Sequence, residues 1–169
     1  MLGFIGNAPI NSLSSAGRIG ENAQAILITN KSNELQREWW FNTNNVTLSP
    51  DIDGNIYVPE NAIEVIGSDI QVLGDQIFSI TNESFTFDAS IDVQVVSDLD
   101  WNDLPFVMQY YVAIVSTRDL YATRFPKNNI PNHLQEKFIR AESDVTRMDL
   151  NSAKYNFGEN KDIVDIINK

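Results

Sequence analysis

Gln36-Arg37-Glu38-Trp39-Trp40-Phe41-Asn42-Thr43-Asn44-Asn45-Val46-Thr47-Leu48 is the stretch where one hydrophobic period gives way to another. Before it, Ala16, Ile19, Ala23, Ile26, Leu27, Leu35 and Trp39 recur near one face of a 3.6-residue period. After it, Val46 and Leu48 alternate with Thr47, the period of a half-buried strand. The spacing predicts a helix from about 16 to 40. Ser14 or Ser15 would cap it, and Gly17 and Gly20 would weaken its first turns. Trp39-Trp40-Phe41 lies on the change itself and reads as an aromatic core cluster joining the two parts.

Downstream, short runs follow one another as strands of a small antiparallel unit. Ile56-Tyr57-Val58 stops at Pro59. Ile70–Leu73 and Ile77–Ile80 flank a Gly74-Asp75 turn. Phe85-Thr86-Phe87 and Ile91–Val95 alternate at period two. The helical period returns over 102–125, with Asp103 as a cap and Pro105 in the first turn. Its residues Leu104, Phe106, Val107, Met108, Tyr110, Tyr111, Val112, Ile114 and Val115 are apolar almost all round. A single core occupies only part of a helix surface, so Met108, Tyr110, Tyr111 and Ile114 are expected to meet a neighbouring subunit. Pro131 opens a third helix, on which Leu134, Phe138, Ala141, Val145 and Met148 repeat at 4-3-4-3 spacing.

The expected fold is therefore α+β: a bundle of three long helices with an inserted small antiparallel β-sandwich or barrel lobe. Residues 1–40 and 101–155 would form the discontinuous helical domain, and 41–100 the acidic β lobe. Residues 156–169 would be a linker and an apolar tail carrying Ile163, Val164, Ile166 and Ile167. That tail is expected to dock on another chain by strand pairing, folding back on its own helices being the rival.

The 169 residues carry 12 Lys and Arg against 23 Asp and Glu, a net charge of −11. None of the 12 lies between Arg37 and Arg118, where 13 of the acidic residues fall. Such a chain does not grip phosphates through a broad basic face. Without cysteine it has no disulfide, thiolate metal site or cysteine nucleophile, and its one histidine, His133, rules out a His-rich zinc site. No stretch has the length of a membrane span, and the start lacks the pattern of a secretory signal.

Asp51-Ile52-Asp53-Gly54-Asn55 has the alternating carboxylates of a calcium loop, but without the later bidentate Glu and helical flanks it reads as a hairpin turn between two short strands. Asp100 and Asp103 are the only approach to a carboxylate pair for glycoside hydrolysis, and nothing fixes their separation. No Gly-rich phosphate loop is present. The expectation is no enzyme, no cofactor, no metal and no catalytic residue.

Several segments, taken in order, resemble one family. They are Ile5-Gly6-Asn7-Ala8-Pro9-Ile10 with Leu13, then Gln36 to Asn42. Next come Leu48-Ser49-Pro50-Asp51 and Gly54-Asn55-Ile56-Tyr57-Val58-Pro59 with Ala62-Ile63. The last is Asp100-Trp101-Asn102-Asp103-Leu104-Pro105, followed by Tyr110-Tyr111-Val112. In this order they resemble the tail tubular protein A family of T7-like short-tailed bacteriophages. The resemblance implies a structural virion protein in the head–tail connector. It implies a homo-oligomeric ring of twelve copies, docked on the portal protein on one face and receiving the tail nozzle on the other. Tail fibres would attach near the rim, and ejected DNA would pass through without specific binding. Two departures stand out: family members usually carry a helix before the Ile-Gly-x-x-Pro segment, whereas this sequence starts almost at that segment, with a neighbour or the C-terminal tail as the expected replacements, and Val115-Ser116-Thr117-Arg118 is poorer in Arg and Ala than the family pattern. Two alternatives from other classes remain, a cell-wall or glycan hydrolase and a carbohydrate-binding module of a phage tail.

Overall fold

The computed structural model describes residues 17–159, with side chains as far as Ser152. The elements run α1 (Gly17–Leu35), β1 (Thr43–Leu48), β2 (Ala62–Ile66), β3 (Ile70–Leu73), β4 (Gln76–Ser79) and β5 (Ile91–Ser97). A short 3-10 helix (Trp101–Asp103), α2 (Phe106–Arg124) and α3 (Asn132–Glu159) follow. The architecture is α+β, with three helices and small antiparallel sheets. The chain divides into two compact units. One is helical, made of the described residues up to Glu34 and from Trp101 onward. The other is Leu35–Asp100, which holds every strand among the described residues.

In the helical unit, Ala23 and Leu120 are buried together, with Ile19, Ile26, Tyr121 and Phe125 packed around them. Polar contacts fix the register of α1 against α2. The Asn30 amide donates to Asp119 Oδ2 at 2.7 Å and to Ser116 Oγ at 3.2 Å. The Tyr111 hydroxyl donates to Glu34 Oε1 at 3.3 Å. On α3, Leu134, Ala141 and Val145 are buried and Phe138 half-buried, as their spacing predicts, whereas Met148 is exposed. Phe138 is the hinge of this contact. The Arg118 guanidinium lies 3.8 Å from its ring centroid, and the Tyr111 ring is 6.1 Å away. A cation over a ring face is attracted by the ring quadrupole and brings the arginine's aliphatic stem into the core.

In the β unit, β5 runs between β1 and β2 in a three-stranded antiparallel sheet. Val46 faces Val93 and Leu48 faces Ile91 across one ladder, and Val65 faces Val95 across the other. The central strand carries the buried Val93, Val95 and Val96. β3 and β4 form a separate hairpin. Its Gly74-Asp75 turn needs a left-handed residue, and Gly74 supplies it at φ +69°.

The helix boundaries differ from the sequence expectation for local reasons. α1 stops at Leu35, not near Trp40, because Asn42 terminates it. This fully buried side chain donates from Nδ2 to the Leu35 carbonyl at 2.8 Å, and its Oδ1 accepts the Trp39 amide at 2.9 Å. Orphan carbonyls at a helix end need such a partner. Trp39, stacked on Phe41 and capped by the Arg37 guanidinium, thus belongs to the β unit. α2 begins only at Phe106. Pro105 is its N-cap, and no side chain, Asp103 included, caps it. Gln109 Nε2 holds the preceding turn instead, donating to the carbonyls of Trp101 and Leu104. α3 continues to Glu159, through residues 156–159 that read as linker, since extending a formed helix gains one bond per residue. Ile56–Val58 and Phe85–Phe87 are not ladder strands and make only single bridges, Tyr57 with Gln76 and Asn55 with Thr86. Ser14, Ser15 and the tail residues Ile163, Val164, Ile166 and Ile167 lie outside the described residues.

Two tests follow from these local contacts. Asn42→Ala orphans the Leu35 carbonyl, at about 1–3 kcal/mol for a buried group left unsatisfied, while the Trp39 amide keeps its 2.9 Å bond to the Arg37 carbonyl; urea denaturation measures the loss. Asp69 is the second case. Its carboxylate accepts from the Thr81 hydroxyl at 2.6 Å, the Thr81 amide at 2.9 Å and the Ser79 hydroxyl at 3.2 Å. The Thr81 hydroxyl bond, aided by the other two and opposed by desolvation, lowers its pKa below the usual 3.8. A depressed folded pKa stabilises fully above the unfolded value and is lost as pH falls through the folded one. Asp69→Asn is therefore expected to destabilise at pH 7, the gap from wild type closing below about pH 3.8 in paired denaturation curves.

Candidate assembly surface

The second helix was expected to have more apolar surface than one core can use, and most of it is used inside. Met108, Tyr111 and Ile114 are buried, as are Val112 and Leu120. They are interior residues, which corrects their reading as subunit contacts. The reason lies in two partners on opposite sides: Tyr111 reaches Glu34 of α1 with its hydroxyl and Phe138 of α3 with its ring. Ser116 and Thr117 are buried too, and the Thr117 hydroxyl is satisfied by the Ala113 carbonyl at 2.6 Å. Small polar residues at this level let the neighbouring helices approach with both hydroxyls bonded, whereas the buried Arg118 Nε has no hydrogen-bond partner among the described residues.

What remains outward is Tyr110, 41% exposed, with Phe106, 81% exposed, one turn before it. Residues four apart share a helix face. The pair is a single aromatic patch at the start of α2, and Phe106 is the member that the sequence reading did not single out. A second outward patch lies on α3, where Ile139, Met148 and Leu150 are exposed. Ile139, Ser143, Thr146 and Leu150 repeat at 4-3-4 beside the buried stripe, so this strip was legible in the sequence.

In the β unit the calcium-like loop is a turn. Asp51 Oδ1 accepts the amides of Asp53 and Asn55 at 2.9 and 2.8 Å. The Asp51 amide donates to Asn55 O, and Gly54, at φ +86°, donates to Asp51 O. That carboxylate oxygen is spent on the turn's own backbone, as in an Asx-turn. The segments on either side do not pair as a hairpin: β1 joins β5, while Phe87 N donates to Gly54 O. Among the described residues no group of three or more His, Cys, Asp or Glu is placed to hold a metal ion. Asp100, Asp103 and His133 are exposed; Asp103 ends the 3-10 helix and His133 lies in the first turn of α3. No described helix is long and apolar enough to cross a membrane.

Exposed apolar patches of this kind are the usual marks of a protein–protein contact. Residues 1–155 match the family model described as tail tubular protein. The chain belongs to the tail tubular protein family. It is 27% identical over 156 residues to tail tubular protein A of Klebsiella phage KP34, which covers 89% of this chain and 83% of that protein. As a tail tubular protein it is a structural component of the bacteriophage tail and hence of the virion, assembling with other tail proteins.

The burial difference along α2 of this tail tubular protein can be measured. Met108→Ala is expected to cost about 2–5 kcal/mol as a core truncation. Phe106→Ala should stay within about 0.5 kcal/mol, as surface changes do. Denaturant unfolding of the two variants side by side checks the contrast.

Proposed function

We propose that this tail tubular protein is the head-to-tail adaptor, a homo-oligomeric ring between the portal protein and the tail nozzle that forms part of the DNA ejection conduit. The family match over residues 1–155 carries the reading. Twelve copies, the number implied by the family resemblance, would surround the channel, with tail fibres near the rim. In this reading the ring is built on the discontinuous helical unit and the inserted acidic β unit, Leu35–Asp100, which we take as a small sandwich or barrel lobe. The exposed Phe106 and Tyr110 support an inter-subunit or inter-ring contact on α2. The apolar run Ile163, Val164, Ile166 and Ile167 is assigned to a second contact on its sequence.

The charge supports a conduit. The β unit has twelve acidic residues and one basic, Arg37, which accounts for the whole net charge of −11. A lining rich in Lys and Arg would hold phosphates through counterion release, and a neutral or acidic one lets DNA slide. We assign no reaction to the protein, in keeping with a structural family.

Phages carrying Tyr110→Asp or Phe106→Asp should yield DNA-filled heads without nozzles, while the purified variants melt as wild type does. Electron microscopy of the particles decides it: complete tails in both variants would remove α2 from the contact surface.

A further inference from the structure

β1 is an open edge. In its ladder with β5, Ser97 N donates to Asn42 O, and antiparallel pairs alternate between bonded and non-bonded. Asn44, Val46 and Leu48 therefore bond to β5, while Thr43, Asn45 and Thr47 turn their N–H and C=O groups the other way. No strand among the described residues lies on that side. Sheet edges are normally blunted by proline, charge or a bulge. β2, the opposite edge, has a bulge between Ala62 and Glu64 and the charge of Glu64. β1, Thr43-Asn44-Asn45-Val46-Thr47-Leu48, has none of the three. Val46 and Leu48 stay half-buried although Val93, opposite Val46, is buried, so the apolar face of the sheet stops short at this edge.

Of the sequence outside the described residues, one run suits this edge. Ile163-Val164-Asp165-Ile166-Ile167 is β-branched at four of its five positions, whereas residues 1–16 hold Gly3, Gly6 and Pro9, which strands disfavour. Extended, the run puts Val164 and Ile166 on one face and Ile163, Asp165 and Ile167 on the other. Antiparallel to β1, Val164 beside Leu48 and Ile166 beside Val46 continue the apolar face, and Asp165 falls on the polar side beside Thr47. Lys161 and Lys169 bracket the run, and the unit it meets has twelve acidic residues and one basic. A second β1 is a worse occupant, because it brings two such units together and like charges oppose each other across an interface. We propose that residues 163–167 of one copy add an antiparallel strand to the β1 edge of a second copy. Strand addition takes its affinity from main-chain bonds and its register from alternate side chains. Run and edge are different surfaces, so the contact is heterologous, the type that repeats around a ring until it closes. The inference rests on the ring reading and names the edge that receives the tail.

The chain has no cysteine, so introduced pairs report the contact in the full-length protein. Toward the added strand Val46 is a non-hydrogen-bonded position, where facing Cα atoms are about 4.5 Å apart, within disulfide reach. Val46→Cys mixed with Ile166→Cys should give a covalent dimer under mild oxidation, and neither variant should do so alone. Val46→Cys mixed with Asp165→Cys, on opposite faces, should stay unlinked. Val46→Cys and Ile166→Cys in one chain should give a ladder of covalent multimers. Asn45→Pro removes an outward N–H that β5 does not use, so it should keep the wild-type melt and lose both the ladder and the ring seen by native mass measurement. A wild-type ring with no link between positions 46 and 166 overturns the contact and leaves the ring standing. A wild type that stays monomeric at all concentrations and gives no link overturns both. A link confined to a single chain shows the run folded on its own β unit, and the proposal fails. Equal linking through Asp165→Cys, or dimers of Val46→Cys alone, overturns it as well, the first by showing no fixed register and the second by showing two edges paired.

Discussion

One buried amide sets the boundary between helix and sheet. Asn42 satisfies the last turn of α1 through its side chain and takes the Ser97 amide with its own carbonyl at 2.8 Å. The same residue therefore stops the helix and pins the end of the central strand. β1 begins at the next position, Thr43 opposite Val96, and every later pair of that ladder follows from this register. A one-residue slip would turn Val46 and Leu48 to the opposite face. An aspartate could accept the Trp39 amide but could not donate to Leu35, so the amide is the side chain this junction requires.

The helical unit depends on a different device, the sandwiching of α2. An apolar helix contacted on two sides needs small or self-satisfied polar residues where its neighbours approach, and Ser116 and Thr117 fill that role. Its two ends escape enclosure, Phe106 and Tyr110 at the start and residues 122–124 at the finish. The family's assembly role is compatible with this layout, since a surface patch can be altered without touching Met108, Tyr111 or Ile114.

Legibility in the sequence followed the strength of each local signal. The α3 stripe of Leu134, Phe138, Ala141 and Val145 was readable because its period is strict and one face is polar. The Gly74-Asp75 hairpin was readable because its turn chemistry is specific. The end of α1 was misplaced because Trp39 continues the helical period, whereas its termination depends on a side chain seven residues beyond Leu35. α2 showed how much it buries but not which side, since a helix apolar all round has no directional pattern. Ile56–Val58 alternates like a strand, yet Pro59 lacks the amide that a longer ladder would need.

The partition of charge also has a practical consequence for anyone handling assembled tails. Because no Lys or Arg falls between Arg37 and Arg118, trypsin has no cleavage point anywhere in the sheet-bearing unit beyond Arg37. Glu38 to Arg118 leaves as one long acidic peptide. Amine-reactive cross-linkers are equally blind there, having no lysine to modify. Peptide maps made by the usual chemistry will record α1 and α3 and miss the strands and most of α2, so a fold-resolved footprint of this protein has to be made through its carboxylates.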